Sequence, residues 1–544
     1  MHDLIIVGGG PVGLFLGLNL ALKGIKVLVI EKAAEIPQSP RALMRNFPIV
    51  LNEFAKVGIL DEVTAAGFKN TEGLCFRTPY SGTNRVLAKI PPGRSSKGSV
   101  DYGVQLGQAK LSSIMLRHAL QCPSFSIRYN TRVAGAETVS APFMVACDGA
   151  NSAVRKALQI PFEGFTWKDW QFVAVNIHYD FSKYGYPAAN HIIDPEDWAV
   201  IVRASNEKEG LWRVALGIPP DLKPANVEPS VIAKLERLMP GPRPLDYKID
   251  AINPYWAHEK VAQSFRSGRV VLCGDAAHLN NPLTALGLTT GLVDAAVLAR
   301  VIPLVLLPEN MTSTKWPKLL DQYATVRRKD FVQRVQKQAI DGKKRIHSLD
   351  PKVVHERDDF FNMLNKSPGF ANFIASLMME PLAEDLWPSP LTDRPYYRSA
   401  LSWAAGNGHD GVVERLIRGL SIGPRSLRIV LRQGAKINEL DSDNRTPLTY
   451  AIWNGYISVV RRLVEAGAWV DIPDVLGGTP TSYAFTSGYS EIGNLVLRRD
   501  FLSNAEHKQG ERLLLSASKY GHIHVVRVLL EARNTNLNLK DGEG

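Results

Sequence analysis

Apolar runs near the start of the chain alternate with glycine-rich breaks. The run "LIIV" (4–7) is followed by "GGGPVG", by a longer apolar run through Leu22, by Gly24, and by a third run, "KVLVIEK" (26–32). Short apolar runs bounded by glycine are typical of buried strands, whereas the middle run has the length of a helix. The pattern predicts strand, turn, helix and strand, the opening of a Rossmann-like α/β domain.

The region from about residue 161 to 261 follows a different pattern, with apolar residues at every second position. In "FVAVNIHYD" four apolar residues share one face, whereas Asn176 and His178 point the other way, and "VALGI" (214–218) alternates similarly. Alternation of this kind predicts half-buried strands. We therefore expect an inserted β-sheet domain that covers something with one face.

The last third of the chain repeats. After a helical stretch at about 291–345, four prolines within 380–395 predict a linker. Three alanines, Ala451, Ala484 and Ala517, are then spaced by 33 residues, and so are Gly455, Gly488 and Gly521. The period and the "TPL" turn resemble the ankyrin repeat, and "SALSWAAGNGHDGVVERLI" resembles an earlier copy displaced by 14 residues.

Stacked repeats predict an all-α ankyrin solenoid over 398–544, whose usual work is to bind another protein. The alternative is that the repeats only pack against the first domain. The chain stops at "NLKDGEG", where another repeat would begin, so we expect the natural protein to be longer.

Composition and charge narrow the function classes. The 544 residues are 45% hydrophobic and 22% charged, an ordinary globular composition. A net charge of +11 raises the question of nucleic acid, but no nucleic-acid motif accompanies it, so no such partner is expected. The densest basic stretch, from Arg327 to Arg345, carries apolar residues at helical spacing, which predicts a solvated basic helix face.

Four cysteines without a C-x-x-C pair argue against a disulfide framework, and no metal site is expected. The start of the chain lacks the features of a secretory signal, and no stretch other than the interrupted run from Leu4 to Leu22 approaches membrane-spanning length. These features predict a cytoplasmic protein without a transmembrane segment.

Candidate chemistry begins at the first turn. Gly8, Gly10 and Gly13 fit the G-x-G-x-x-G pattern between strand and helix, and Glu31 ends the next strand. The glycines allow a pyrophosphate to approach the helix N-terminus. Glu31 would accept hydrogen bonds from an adenosine ribose and repel a 2′-phosphate, so the site fits FAD or NAD and disfavours NADP.

Two further strand ends carry the same chemistry. "VACDGANSAVRK" (145–156) places Asp148 before a glycine, and "VVLCGDAAH" (270–278) ends in Gly274 and Asp275. With the first glycines, in this order, they resemble the three fingerprints of the class A FAD-dependent monooxygenases, the aromatic hydroxylases that include phenol-hydroxylase-like and fungal secondary-metabolism enzymes. The resemblance covers about residues 2–345.

The resemblance implies a set of cofactor contacts. Asp275 would bind the ribityl hydroxyls of FAD while Gly274 lets the cofactor lie against the backbone, and Asp148 would lie near the pyrophosphate with Arg155 fixing its helix. His278 is expected to be a structural hydrogen-bonding residue rather than a base. The remaining cofactor contacts that the resemblance implies are Arg41, Gln108, and the loop and helix start at Pro282, Gly287 and Leu288.

Two departures from the family pattern bear on activity. Relatives carry two glycines where this chain has Thr284 and Ala285, so side chains occupy positions with expected positive φ. The segment from Tyr129 to Val145 is also shorter than the family hairpin. Either feature could weaken the enzyme.

The resemblance also implies the reaction. FAD is reduced by NADPH or NADH, reacts with O₂ to give a C4a-hydroperoxide, and delivers one oxygen atom by hydroxylation or epoxidation. The substrate would be an aromatic, terpenoid or polyketide-like small molecule held against the sheet. No catalytic side chain is assigned; the polar candidates on the sheet are Asn176, His178, Tyr184, His191 and Arg203. The alternative is an ankyrin scaffold whose flavin domain is structural or inactive.

The predicted domains are a monooxygenase over 1–345, a helical segment with the proline-rich linker over 346–397, and the repeats over 398–544. Within the first, the FAD-binding parts are about 1–160 and 262–345.

Overall fold

The computed structural model describes residues 2–368, except 37–42, 93–99, 101, 133–138, 207–209 and 312–314, and then parts of 371–496. These later parts are 371, 374, 400–406, 408, 410–417, 436–441, 444–470, 472–474, 479–486 and 490–496. The chain divides into two compact units. The first contains Met1–Asn365, and the second contains the helices from Ala400 onward.

The strands of the described residues are, in chain order, β1 (Leu4–Val7), β2 (Val27–Ile30), β3 (Leu43–Asn46), β4 (Phe68–Asn70), β5 (Leu74–Arg77), β6 (Val86–Ile90), β7 (Gly103–Gly107), β8 (Phe125–Arg128), β9 (Phe143–Ala146), β10 (Phe162–Thr166), β11 (Gln171–His178), β12 (Ala189–Ile192), β13 (Ala199–Arg203), β14 (Leu211–Ile218), β15 (Lys248–Tyr255), β16 (His258–Ala262), β17 (Arg266–Ser267), β18 (Val270–Leu272) and β19 (His278–Leu279).

The helices are α1 (Pro11–Ala21), α2 (Pro48–Lys56), α3 (Leu60–Ala66), α4 (Gln108–Ala119), α5 (Ala153–Ala157), α6 (Pro224–Leu238), α7 (Leu286–Val305), α8 (Pro308–Met311), α9 (Lys315–Asp330), α10 (Gln336–His347), α11 (Pro351–Lys366), α12 (Ala400–Gly406), α13 (Asp410–Ile417), α14 (Pro447–Trp453), α15 (Ile457–Glu465), α16 (Pro480–Thr486) and α17 (Ser490–Val496). Short 3-10 turns occupy Phe181–Tyr184, Gly274–Ala276 and Pro282–Thr284, and a π-helical turn, Phe331–Val335, joins α9 to α10.

The first unit is built on a six-stranded sheet with the order β17-β18-β9-β1-β2-β8. Neighbouring strands from β18 to β8 are parallel, and only β17 is antiparallel. All four residues of β1 and of β2 are buried, as expected for a parallel sheet covered on both faces. Helix α1 packs against α4 and α7 on this sheet. The predicted strand, turn, helix and strand at the start are present.

A seven-stranded sheet has the order β15-β11-β14-β13-β12-β5-β6. Five of its strands lie within the predicted 161–261 region, but β5 and β6 come from residues 74–90. Its alternation is as predicted, because Val173, Val175 and Ile177 are fully buried in one core. That core includes residues of α6, and we call this side of the sheet the helix-covered face. The opposite side carries Ala174 and Asn176, and we call it the cofactor-side face because the family resemblance implies that this sheet holds the substrate beside the flavin.

Two three-stranded sheets, β10-β16-β19 and β3-β7-β4, complete the first unit. The first matters most for function, because β19 leads directly into the loop that begins α7. That loop therefore starts from an antiparallel ladder rather than from the parallel sheet.

Helix α7 corrects one expectation. Its 20 residues have a mean hydropathy of 1.7, so by length and composition it could cross a membrane, although the sequence suggested that no such stretch exists after residue 22. In this structure 78% of the apolar window is buried. A helix that is apolar all round is also typical of the core of a large domain.

The basic stretch was predicted to form a solvated helix face, and this is wrong for two of its charges. Arg327 and Lys343 have no exposed surface. Arg327 pairs with Asp294 and Asp330, and Lys343 with Asp169. Helical spacing identified the apolar side, but it carries no information on carboxylates from distant segments.

The second unit shows matching features in successive helix pairs. Ala404, Ala451 and Ala484 are all fully buried, and Gly408 and Gly455 both have left-handed backbone. Helix α12 packs on α14 and α14 on α16. These positions agree with the predicted repeat register, including the displaced first copy. Ala517, Gly488, Gly521 and the linker at 380–395 lie outside the described residues, and the continuous solenoid stays a prediction.

Candidate cofactor site

Three turns leave the parallel sheet side by side. The amide of Cys147 donates to Val7 O at 2.7 Å, and the amide of Cys273 donates to Ala146 O at 2.9 Å. Because β1, β9 and β18 are adjacent and parallel, their carboxyl ends share one edge. The turns that contain Gly10, Asp148 and Asp275 therefore converge. In open α/β sheets this edge is where ligands bind.

The glycines of the first turn serve two different purposes. A Cβ on Gly8 would lie 2.3 Å from Cys147 O, and one on Gly13 would lie 2.0 Å from Gly8 O, so both are required by backbone packing. Gly8 also has a φ of +108°. A Cβ on Gly10 would meet no atom of the described residues within 4 Å. Gly10 therefore faces open space, which is where a ligand could approach the backbone.

The N-terminus of α1 begins at this opening. Gly10 precedes it without a side-chain cap, and the first turn contains no acidic residue. The first N–H groups of the helix are therefore available to an anion.

Glu31 ties the first turn to the end of β2. Its carboxylate accepts from the amide of Gly9 at 2.6 Å and from the amide of Ala33 at 2.8 Å. The carboxylate is thus held at the edge, and its oxygens keep further lone pairs that can accept ribose hydroxyls.

Asp148 and Arg155 organise the second turn. Asp148 accepts from the first amides of α5, Ala153 at 2.7 Å and Val154 at 3.2 Å. Its Oδ1 is buried and has no hydrogen-bond partner among the residues with described positions. The Arg155 guanidinium donates to Ala276 O at 2.8 Å. Arg155 therefore links the turn after β9 to the turn after β18.

The third turn exposes one carboxylate. Gly274 has a φ of +61°, and Asp275 follows in the 3-10 turn with its side chain open to solvent. Although solvent reaches it through the cleft, the surrounding protein desolvates the carboxyl and raises its pKa. A polar ligand that donates hydrogen bonds would replace the missing solvation.

Sequence reasoning missed the residue that holds this turn. Asp294, fully buried in α7, accepts from Gly274 N at 3.1 Å, from His278 Nε2 at 2.6 Å and from Arg327 Nε at 2.5 Å. The Arg327 and His278 charges hold the pKa of Asp294 below its ordinary value, against the effect of burial. His278 is buried and stacks on Phe331 at 4.4 Å, so its environment favours the predicted structural role. One signal was present: an aspartate inside an otherwise apolar helix.

The loop between β19 and α7 accommodates its unusual side chains. Ala285 has a φ of +57°, as predicted for a position where relatives carry glycine, but Thr284 does not have positive φ. Left-handed backbone costs a non-glycine residue about 1–2 kcal/mol. Thr284 packs against α10 at Gly342, where a Cβ would lie 2.5 Å from Thr284 Cγ2. The glycine on α10 thus makes room for the threonine.

The remaining predicted contacts lie as follows. Pro282 is exposed, and Gly287 and Leu288 are half-buried in the first turn of α7. Gln108 is half-buried at the first position of α4. Arg41 lies outside the described residues, and so do residues 133–138 of the shortened segment. No cluster of metal-ligating side chains occurs among the residues that the structure describes.

The polar candidates on the sheet separate into two groups. The strand register places Asn176 and His191 on the cofactor-side face, and His178 at its end, where it contacts Asp250 at 2.7 Å. Arg203 shares the parity of the helix-covered face and lies over Phe68. Tyr184 stacks with Tyr179 away from the cofactor-side face.

Two residues that were not predicted share the cofactor-side face with Asn176. Arg213 Nε donates to Asn176 Oδ1 at 2.6 Å, and Asn253 lies opposite Ala174. The Nδ2 atoms of Asn176 and Asn253 are buried without hydrogen-bond partners among the described residues. Ala174, Ala215 and Gly217 also lie on this face, and the Trp198 ring packs against it, since a Cβ on Gly217 would lie 2.3 Å from Trp198 Cζ2.

The edge of the parallel sheet fits FAD. The open space at Gly10, the uncapped start of α1 and the exposed Asp275 provide a small-residue surface, an anion site and a hydrogen-bond acceptor in that order. An extended dinucleotide requires these three properties along one edge.

Comparison with known proteins gives the same result. Residues 1–339 match the FAD binding domain family, and residues 380–474 match ankyrin repeats in three copies. The chain is 37% identical over 353 residues to a para-nitrophenol 4-monooxygenase of Pseudomonas sp. (strain WBC-3), covering 61% of this chain and 84% of that protein.

Two further relatives agree. A 6-hydroxy-3-succinoylpyridine 3-monooxygenase of Pseudomonas putida is 32% identical over 368 residues, covering 64% of this chain and 90% of the other. The crystal structure of a p-nitrophenol 4-monooxygenase from Pseudomonas putida DLL-E4 superposes with a TM-score of 0.63 at 32% identity, covering 69% and 97% of the two chains.

The chain belongs to the FAD binding domain family of class A flavin monooxygenases, with ankyrin repeats after the flavin domain. It is an FAD-dependent monooxygenase, as the sequence motifs predicted.

Proposed function

We propose that this enzyme hydroxylates a small phenolic substrate, with NADPH or NADH as the reductant and O₂ as the oxygen source. The observation that carries the proposal is the convergence of the turns at Gly10, Asp148 and Asp275 on one edge of the parallel sheet. Phenols such as para-nitrophenol are the first substrates to test, because a similar protein bears that name. Epoxidation of an unsaturated metabolite is the second reaction to test.

The cofactor contacts would follow the order of the sheet. Gly8, Gly10 and Gly13 would allow the pyrophosphate to approach the start of α1. Glu31 would accept hydrogen bonds from the hydroxyls of the adenosine ribose. Asp275 would accept hydrogen bonds from the ribityl hydroxyls, and Gly274 would let the cofactor lie against the backbone. Asp148 would lie near the pyrophosphate. The remaining proposed contacts are Arg41, Gln108, Pro282, Gly287 and Leu288. When bound, FAD supplies the activation and transfer of oxygen.

The cofactor-side face would position the substrate. Asn176 and Asn253 each offer a buried Nδ2 donor, and a phenolic oxygen is an acceptor that could satisfy both. Burying an unsatisfied donor costs about 1–3 kcal/mol, so a ligand that satisfies it gains specificity. Arg213 fixes the orientation of Asn176 through its 2.6 Å hydrogen bond.

The test is to reconstitute the full chain with FAD and to follow NADPH and NADH oxidation with and without para-nitrophenol. We expect substrate to accelerate oxidation and mass spectrometry in labelled O₂ to find one labelled oxygen atom in the product. Oxidation that no phenol accelerates, with hydrogen peroxide as the only product, would contradict the proposal.

A second proposed function concerns the repeats. The match to three ankyrin copies and the exposure of Trp453 and Trp469 favour a protein-binding role for the second unit. If this role were the whole function, the purified protein would be colourless and would take up no FAD. A yellow protein with phenol-dependent turnover would show that the flavin domain is catalytic and that protein binding is not the whole function.

A further inference from the structure

One buried carboxyl lies next to the loop that begins α7. Glu259, on β16, has no exposed surface. Its backbone pairs with β10, where Phe165 lies opposite it. The two strands approach so closely that a Cβ on Gly164 would lie 1.9 Å from Glu259 O. Burial raises the pKa of its carboxyl, and hydrogen bonds from Asn281 and Trp167 oppose that rise.

A single oxygen of this carboxyl receives three hydrogen bonds. Glu259 Oε1 accepts from Asn281 N at 3.1 Å, from Asn281 Nδ2 at 2.6 Å and from Trp167 Nε1 at 3.1 Å. Asn281 is also fully buried, so its two donors have no access to water. The carboxyl therefore satisfies two donors of Asn281, and its removal would leave the backbone amide of Asn281 without this buried acceptor and Nδ2 with one acceptor fewer.

Asn281 connects the Glu259 carboxyl to α10 and to the residues that precede α7. Its Nδ2 also donates to Ala339 O in α10 at 2.8 Å, and its Oδ1 accepts from Leu283 N at 3.2 Å. The residues that follow, Thr284 and Ala285, include the left-handed position immediately before α7. A strained position of this kind persists only when its surroundings determine it.

We propose that Glu259 is a positioning residue that holds the segment 281–288 in the conformation that receives the flavin. This inference rests on the proposed placement of FAD at that segment. Glu259 would touch neither cofactor nor substrate. Its effect would pass through Asn281 to the start of α7, whose first amides favour negative charge on a neighbouring group.

The test compares Glu259→Ala with Glu259→Gln in the full chain. Alanine removes the acceptor for three donors, whereas glutamine keeps an acceptor oxygen in place. We expect the FAD dissociation constant, measured by fluorescence titration, to rise about tenfold or more for alanine and to stay within about threefold for glutamine. The alanine variant should also release a larger fraction of its reducing equivalents as hydrogen peroxide.

Controls separate this effect from general damage. Glu163, an exposed carboxylate on the neighbouring strand β10, provides the matched pair Glu163→Ala and Glu163→Gln, which should bind FAD as the wild type does. Asn281→Ala should lose at least as much affinity as Glu259→Ala, and the double variant should lose no more than Asn281→Ala alone, because both act through one set of hydrogen bonds.

Each outcome has one meaning. Equal affinity for wild type and Glu259→Ala, or equal losses for the alanine and glutamine variants, would overturn the inference. If Glu259→Ala does not fold, Asn281→Ala decides the matter, since wild-type FAD affinity in that variant would overturn it as well. A wild-type protein that takes up no FAD would instead contradict the proposed function.

Discussion

The two large sheets of the first unit support function in different ways. The six-stranded parallel sheet buries both faces and offers its carboxyl edge, where backbone turns approach a ligand. The seven-stranded sheet buries one face under α6, and its other face carries polar side chains, among them Asn176 and Asn253. Changes at the parallel edge should therefore affect FAD, and changes on the cofactor-side face should affect the substrate.

The largest expected effect is at Asp294. Asp294→Ala leaves Arg327 as a buried charge with one carboxylate fewer, and it releases Gly274 and His278. Breaking a buried ion pair costs about 3–5 kcal/mol, so the free energy of unfolding measured in urea should fall by that amount. FAD affinity should fall as well. Asp197→Asn, which weakens a pair whose arginine, Arg237, is exposed, should cost at most about 1 kcal/mol. An unchanged unfolding midpoint for Asp294→Ala would show that the network does not support the edge.

Acid should destabilise the region where α10 packs on Trp198, the residue before β13 of the seven-stranded sheet. His347 stacks on Trp198 at 5.6 Å, and burial, reinforced by Lys343, lowers its pKa to about 4. A histidine whose folded pKa lies below the unfolded value of about 6.5 destabilises the fold as pH falls between these values, by up to about 3 kcal/mol. His347→Gln should therefore lose less stability than wild type between pH 6.5 and 4 in urea unfolding. Parallel curves for the two proteins would contradict this assignment.

Gly10 sharpens the comparison at the parallel edge. Gly10→Ala should cost about 0.5–1 kcal/mol of stability, because it replaces only a moderate N-cap residue, yet its methyl group enters the opening. We expect FAD affinity to fall about tenfold or more in fluorescence titration, because the methyl group would displace the pyrophosphate from its hydrogen bonds at the start of α1. Gly411→Ala, where a Cβ also meets no described atom within 4 Å, is the matched control and should bind FAD normally. Full FAD affinity in Gly10→Ala would place the cofactor elsewhere.

The smallest effect is expected on the cofactor-side face. Asn253→Ala removes a side chain whose Nδ2 has no hydrogen-bond partner in the described part of the chain, so the free energy of unfolding should change by less than about 0.5 kcal/mol. The KM for the phenol should rise several-fold, about 1 kcal/mol, while the FAD dissociation constant stays unchanged. Steady-state kinetics and FAD titration of the same preparation check both. Reduced FAD binding without a change in KM would reverse the roles of the two sheets.

The sequence predicted the parallel edge better than it predicted the second sheet. Gly8, Gly13 and Glu31 act within one strand-turn-helix-strand unit, so their spacing alone indicates their geometry. Strands β5 and β6 join the seven-stranded sheet from residues 74–90, and no local pattern indicates that pairing. The role of Asp294 depends on Arg327, which is 33 residues away, and the burial of Lys343 depends on Asp169. Long-range partners of this kind are not visible in periodicity.

The central claim is that FAD lies along the carboxyl edge of the parallel sheet, and a crystal structure of the full chain with FAD tests it most directly. We predict the pyrophosphate at the start of α1 near Gly10, the ribityl chain at Asp275 and the flavin ring beside residues 284–288. A flavin bound elsewhere, with this edge filled only by water, would contradict the account.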